Sequence, residues 1–208
     1  MKLYDFKGAP NPRRVKIFAA EKGLDLELVD CDMRQREHKT EAFLKKNPSG
    51  KLPVLELDDG RYISESVAIC RYLEAIHPEP NLFGHDAFEL GFVEARNRHI
   101  EFEFWREVGI SWAHGPIVAQ LGLIKPIPEA KAASDKIVHA YYRRLDREFA
   151  QSAYVAGDRF TIADISLLTG IDFAATLVGL PPDTGLSNLA RWRVEMAQRP
   201  SVIRADSD

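Results

Sequence analysis

The sequence is poor in cysteine: Cys31 and Cys70 are the only two in 208 residues. They lie far apart and form no C-x-x-C, so neither a zinc site nor a dithiol motif is encoded. Cys31 falls in a strand-like run and Cys70 on an apolar helical stripe, and both read as small core residues. The six histidines show no H-E-x-x-H or other metal spacing, so no metal site is expected. Positive charge is not in excess: 28 Lys and Arg stand against 31 Asp and Glu, a net charge of -3. That removes the basic face a nucleic-acid binder needs. No run approaches the roughly 18 apolar residues of a membrane span. The first residues, MKLYDFKGAPNP, lack the charged-then-apolar order of a secretory signal. These absences lead to the expectation of a cytoplasmic protein with neither nucleic acid nor membrane as partner.

With 45% hydrophobic residues the chain is able to bury substantial cores without a disulfide or metal staple. Its character changes near residue 80. Before that point strand and helix patterns alternate: strands at 3–6, 27–31, 53–57 and 61–63, helices at 12–22, 39–46 and 66–76. Asp58-Asp59-Gly60 carries a hairpin signal. In the last helix Ile69, Tyr72, Leu73 and Ile76 make one apolar stripe. The order βαβαββα is that of an α/β layered unit. His77-Pro78-Glu79-Pro80 then reads as a linker. After it only helical patterns remain, at 87–113, 129–149, 162–178 and 189–198, the last stopped by Pro200. The expectation is an α/β domain over 1–80 and an all-α domain over 86–208.

Three segments carry chemistry. In Asn47-Pro48-Ser49-Gly50-Lys51-Leu52-Pro53-Val54 a proline opens a strand, where its missing N–H does no harm. A cis Leu52–Pro53 bond would turn the Leu52 backbone outward, to pair with an extended peptide by strand addition; the alternative is a trans proline in a tight turn. Ser64-Glu65-Ser66 sits where a strand meets a helix. The helix N-terminus accepts a carboxylate and Glu65 an ammonium, so together they would hold an amino-acid end group; the alternative is a plain cap, with Glu65 favouring the helix dipole. At Ala9-Pro10-Asn11-Pro12 the first strand meets the first helix, with Asn11 as a good N-cap and Pro12 as a good first helical residue. No Ser, Thr, Tyr or Cys lies between Phe6 and Arg14, so the protein brings no obvious nucleophile here and the reactive group must come with the substrate.

In this order and spacing, NPSGKLPVLELDDG, ISESVAICRYL and, further on, YVAGDRFTIADIS resemble the cytosolic glutathione transferases along nearly the whole chain. The likeness is nearest to fungal and bacterial members without the usual Tyr, Ser or Cys at the thiol. YVAGDRFTIADIS also fits a capping box, with Thr161 as cap and Asp164 at the third helical position. The resemblance implies a thioredoxin-like first domain that binds glutathione and an α-helical second domain with an electrophile site. Leu52 and Pro53 would hold the cysteinyl backbone, Glu65 and Ser66 the γ-glutamyl end, and Lys51 with Lys39 or His38 the glycyl carboxylate. Trp112 and His114, on a helix that also carries Glu101 and Trp105, would meet the electrophile; core packing is the alternative for this aromatic set. Where serine classes place their hydroxyl this chain has Ala9, so Asn11 becomes the candidate catalytic group. The implied function is conjugation of the glutathione thiolate to small electrophiles by a homodimer, in detoxification. A glutathione-dependent disulfide or peroxide reductase and a non-catalytic binding module are the alternatives.

Overall fold

The computed structural model describes residues 1–207. Chain order begins β1 (Lys2–Asp5), α1 (Pro10–Glu21), β2 (Glu27–Asp30), a 3-10 turn (Glu37–Lys39), α2 (Glu41–Leu44), β3 (Val54–Glu56), β4 (Tyr62–Ser64) and α3 (Ser66–Ile76). This is the expected βαβαββα unit. Among the described residues only helices follow, apart from a single β-bridge between Tyr154 and Gly157. The chain divides into two compact units, one made of residues 1–83 with the chain from residue 198 onward, the other of residues 84–197.

In the first unit the strand order is β2-β1-β3-β4. β1 runs parallel to β2 and antiparallel to β3, which is antiparallel to β4. Side chains alternate across the sheet. Leu3 and Leu55 lie opposite one another and are fully buried, while α1 and α3 pack on each other and on the sheet. On the alternate positions Tyr4, Phe6 and Val54 gather with Cys31, Phe43 and Leu52. Val15, Ile17, Phe18 and Ala19 bury one side of α1, and Gly23, at φ +66, ends it in the left-handed conformation that glycine adopts freely. Of the stripe expected on α3, Ile69 and Leu73 are buried, Tyr72 is half-buried and Ile76 is exposed. Both cysteines are buried. Burial, with the Glu37, Asp30 and Asp32 carboxylates nearby, pushes the Cys31 thiol up to about 11, and burial raises that of Cys70. Neither is poised as a nucleophile.

One expectation is corrected at the C-terminus. Pro200 does not merely stop a helix; it opens another, α10 (Pro200–Ser207), which belongs to the first unit rather than to the helical domain. Proline suits the first helical turn, where no backbone N–H partner is needed. Val202 and Ala205 are buried as α10 packs on α1. Glu21, at the end of α1, accepts from Arg199 Nε and Nη2 at 2.9 Å each, and from Ser201. Arg13 meets Asp206 at 2.5 Å.

The second unit consists of α4 (Ala87–His99), α5 (Arg106–Ala113), α6 (Pro116–Gln120), α7 (Pro128–Phe149), α8 (Ile162–Phe173) and α9 (Ser187–Ala197). A π-helical segment (Ile100–Trp105) makes α4 and α5 one continuous helix, and a second (Ala174–Val178) extends α8. Every residue from Ile162 to Ile171 is buried, as expected for a helix at the centre of a bundle. Phe104 packs on Tyr141 and Tyr142, and Phe149 stacks on Trp192.

Candidate functional site

The sheet register gathers the candidate residues of the first unit at one end. Val54 faces Tyr4 of β1 on one side and Ser64 of β4 on the other. Pro53, Glu65 and the chain leaving β1 toward Asn11 therefore emerge at the same edge.

At the start of α3, Glu65 has φ 70 and ψ 116. A non-glycine residue with positive φ stores roughly 1–3 kcal/mol of strain, and such strain clusters at functional sites. Glu65 is exposed, and no side chain caps the helix. Ile69 N–H closes the first helical bond onto Glu65 C=O at 2.9 Å. The N–H groups of Ser66, Val67 and Ala68 have no acceptor among the described residues. The plain-cap alternative is thus not what the chain builds. Ser66 is buried, and its Oγ accepts from Arg14 Nη1 at 2.8 Å.

The Leu52–Pro53 bond is cis. Among the described residues the Leu52 N–H and C=O are unpaired, while its side chain is buried in the core. The turn before it is stapled by Asn47, which is buried: Nδ2 donates to Lys51 C=O at 2.8 Å, and Oδ1 accepts from Ser49 N–H and Oγ. Sequence reading missed this role, although Asn two residues before Ser is an Asx-turn signal. Gly50, at φ +58, lets Lys39 approach; a Cβ there would lie 2.8 Å from Lys39 Nζ. Lys39 Nζ donates to Gly50 C=O at 2.9 Å, and Lys51 is exposed. His38 is buried, and burial together with Lys39 and Arg36 holds its imidazole below the usual range.

The start of α1 differs from expectation. Its N-cap is Ala9, Pro10 is the first helical residue, and Asn11 caps nothing. Ala9 N–H closes a turn onto Phe6 C=O at 2.9 Å, which starts the helix two residues early. Pro10 and Pro12 have no N–H, and Arg13 N–H is already bonded to Ala9 C=O. Asn11, half-buried, supplies the only open donors of this first turn among the described residues: its backbone N–H and its side-chain amide. Tyr4 is no substitute, since its hydroxyl donates to Glu56 at 2.7 Å and burial raises its pKa.

In the second unit Trp105, Trp112 and Phe173 form a half-exposed aromatic group. Trp105 stacks on Phe173, and Trp112 meets it edge-on at 5.4 Å. Trp105 Nε1 donates to Ser166 C=O at 2.8 Å, and Gly170 makes room, for a Cβ there would lie 2.8 Å from that nitrogen. His114 caps the end of α5, and its Nδ1 accepts from Ile127 N–H at 3.3 Å, leaving Nε2 to carry the proton of the neutral ring. The segment between α5 and α7 exposes Ile117, Leu121, Leu123, Ile124 and Ile127, an apolar loop the helical pattern did not foretell.

Comparison with known proteins identifies the family. The N-terminal domain model of glutathione S-transferases matches residues 3–81 and the C-terminal domain model residues 111–200. Glutathione S-transferase 2 of Saccharomyces cerevisiae is 35% identical over 97% of this chain and 88% of its own. This chain belongs to the glutathione S-transferase family. The crystal structure of Gtt2 from Saccharomyces cerevisiae superposes with a TM-score of 0.89 at 34% identity, covering 99% of this chain and 100% of that one. A glutathione S-transferase domain-containing protein from Marinobacter aquaeolei gives 0.88 at 34% identity, covering 97% and 100%. The Glu65–Ser66 start of α3 and the cis Pro53 lie inside the N-terminal match, and the Thr161–Asp164 box inside the C-terminal one.

Proposed function

We infer that the protein is a glutathione transferase that takes glutathione as co-substrate and adds its thiolate to small electrophiles. The observation that carries this is the shared sheet edge: an unpaired Leu52 backbone, an uncapped α3 with Glu65 before it, and the open donors of Asn11. They complement a γ-glutamyl tripeptide. The α3 N–H groups and Ser66 receive the γ-glutamyl carboxylate, and Glu65 its ammonium. Leu52, ahead of Pro53, pairs with the cysteinyl backbone. Lys51, with Lys39 beside it, attracts the glycyl carboxylate.

Asn11 is the group we assign to the thiol. A free thiol has a pKa near 8.5, and lowering it by about two units takes roughly 2.7 kcal/mol. A hydrogen bond to a charged group contributes about 1.5–3 kcal/mol, and a helix N-terminus roughly 0.3–2 kcal/mol. Two donors from Asn11 on a helix start reach that sum without a hydroxyl. In the helical unit Trp112 and His114 line the electrophile pocket, with the Trp105–Phe173 stack behind Trp112.

A reductase reading is favoured by one observation, the lack of any hydroxyl or thiol at the start of α1. Purified protein assayed with a chloronitroarene, a hydroperoxide and a glutathione-reducible disulfide decides: conjugation dominates on the transferase reading, disulfide or peroxide turnover on the other, and no turnover makes it a binding module. The protein acts in the cytoplasm as a homodimer in detoxification, with the exposed, stacked Phe88 and Phe92 and the α3 residues Arg71 and Tyr72 as contact candidates. A sedimenting mass near 23.5 kDa at micromolar concentration would contradict the dimer.

A further inference from the structure

Arg14 is a charged residue buried where α1 meets α3, only 3% exposed. Its Nη1 donates to Ser66 Oγ at 2.8 Å. A hydroxyl has one hydrogen and two acceptor positions. Arg14 occupies an acceptor position, so the hydroxyl keeps its hydrogen, and no described residue accepts it. Ser66 is 6% exposed. A buried donor without a partner costs about 1–3 kcal/mol, so the arrangement suits an acceptor that arrives from outside. The surroundings say of what kind. Ser66 opens an eleven-residue helix with no side-chain cap, directly after the strained Glu65. A buried guanidinium and a helix N-terminus both place positive charge there, and the acceptor they favour is an anion.

We propose that Arg14 is a positioning residue for the γ-glutamyl carboxylate of glutathione: by donating to Ser66 Oγ it commits the Ser66 hydroxyl to donating outward, to that carboxylate. This rests on the reading that the γ-glutamyl end docks at Glu65 and Ser66. Arg14 does not touch the substrate; its effect passes through Ser66. Truncating either residue should therefore remove the same interaction, and the two losses should not add.

The test is a double-mutant cycle read by calorimetric titration with glutathione, alongside steady-state rates with a chloronitroarene. Ser66→Ala is expected to weaken glutathione binding about ten-fold in the wild-type background. In an Arg14→Gln background the same change is expected to cost less than about two-fold. Arg14→Gln should raise KM for glutathione more than it lowers kcat, and Arg14→Lys, which keeps a donor and the charge, should recover part of the affinity. Equal cost of Ser66→Ala in both backgrounds overturns the proposal. If Arg14→Gln fails to fold, the cycle is run with Arg14→Met, which likewise removes the charge and leaves no donor, and the same additivity overturns it. Glu65→Ala separates the two levels: unchanged affinity there overturns the docking reading itself, whereas weakened affinity with an additive cycle overturns only the role of Arg14.

Discussion

Helices α8 and α3 begin in opposite ways. At α8 the Thr161 hydroxyl accepts from Ala163 N–H, and Asp164 accepts from Thr161 N–H, Val155 N–H and Trp192 Nε1, all in a fully buried setting. At α3 no side chain caps the helix, the preceding residue is strained and exposed, and the first N–H groups are open. A helix start that satisfies itself stabilises the fold and has nothing left for a ligand. One that leaves its donors open gives up that stability and gains an anion site. The α1 start is a third variant: two prolines remove donors, so those that remain come from Asn11.

The comparison breaks first at the closed end. Asp164→Ala should cost about 2–4 kcal/mol, because buried N–H groups lose their acceptor, without changing glutathione affinity; urea unfolding and calorimetry check both halves. The same carboxyl has a pH signature. Burial raises it from 3.8 to about 6, against the hydrogen bonds from Val155 N–H, Thr161 N–H, Trp192 Nε1 and the Thr161 hydroxyl that lower it. Below pH 3.8 it is protonated in both states. Between those values the unfolded chain releases the proton and the folded chain keeps it, so stability from this group falls as pH rises and levels off above about 6. The stability of wild type relative to Asp164→Asn should therefore decline across that window and be flat above it.

The open end should respond in the reverse sense. Glu65→Gly relieves a positive φ that glycine adopts freely, so stability should rise by about 1 kcal/mol while glutathione affinity drops about ten-fold or more. Melting and titration of one protein sample give both numbers, and a variant losing both stability and affinity would place Glu65 in the scaffold. The smallest effect belongs to Asn11. Because its side chain caps nothing, Asn11→Ala should leave melting unchanged. It should raise the pKa of the bound thiol by about one unit, roughly 1.4 kcal/mol, in an ultraviolet thiolate titration. An unchanged pKa with an unchanged rate removes it from the mechanism.

Much of this was legible in the residues. The bounds of α3 follow from Glu65-Ser66 and His77-Pro78, and the Thr161–Asp164 box from side-chain spacing alone, since both are local signals. What escaped was settled by tertiary contacts or by competing local rules. At α1 both Pro10 and Pro12 suit a first turn, and a turn from Phe6 to Ala9 decided for the earlier start. Pro200 reads equally as a stop or a start, and packing on α1 made it a start. The π segments keep the apolar spacing of an ordinary helix closely enough to be invisible in it. Arg14 gave no sign of burial, because its partner lies 52 residues away.

The account rests on the contrast between open and closed helix starts, and backbone amide resonances report it directly. Titrating the labelled protein with glutathione should shift the Ser66, Val67 and Leu52 amides strongly, with Asn11 following, and leave Thr161 and Ala163 in place. Saturating glutathione that leaves Ser66 and Val67 unmoved, whatever else it shifts, would contradict the assignment of the α3 start as the γ-glutamyl site.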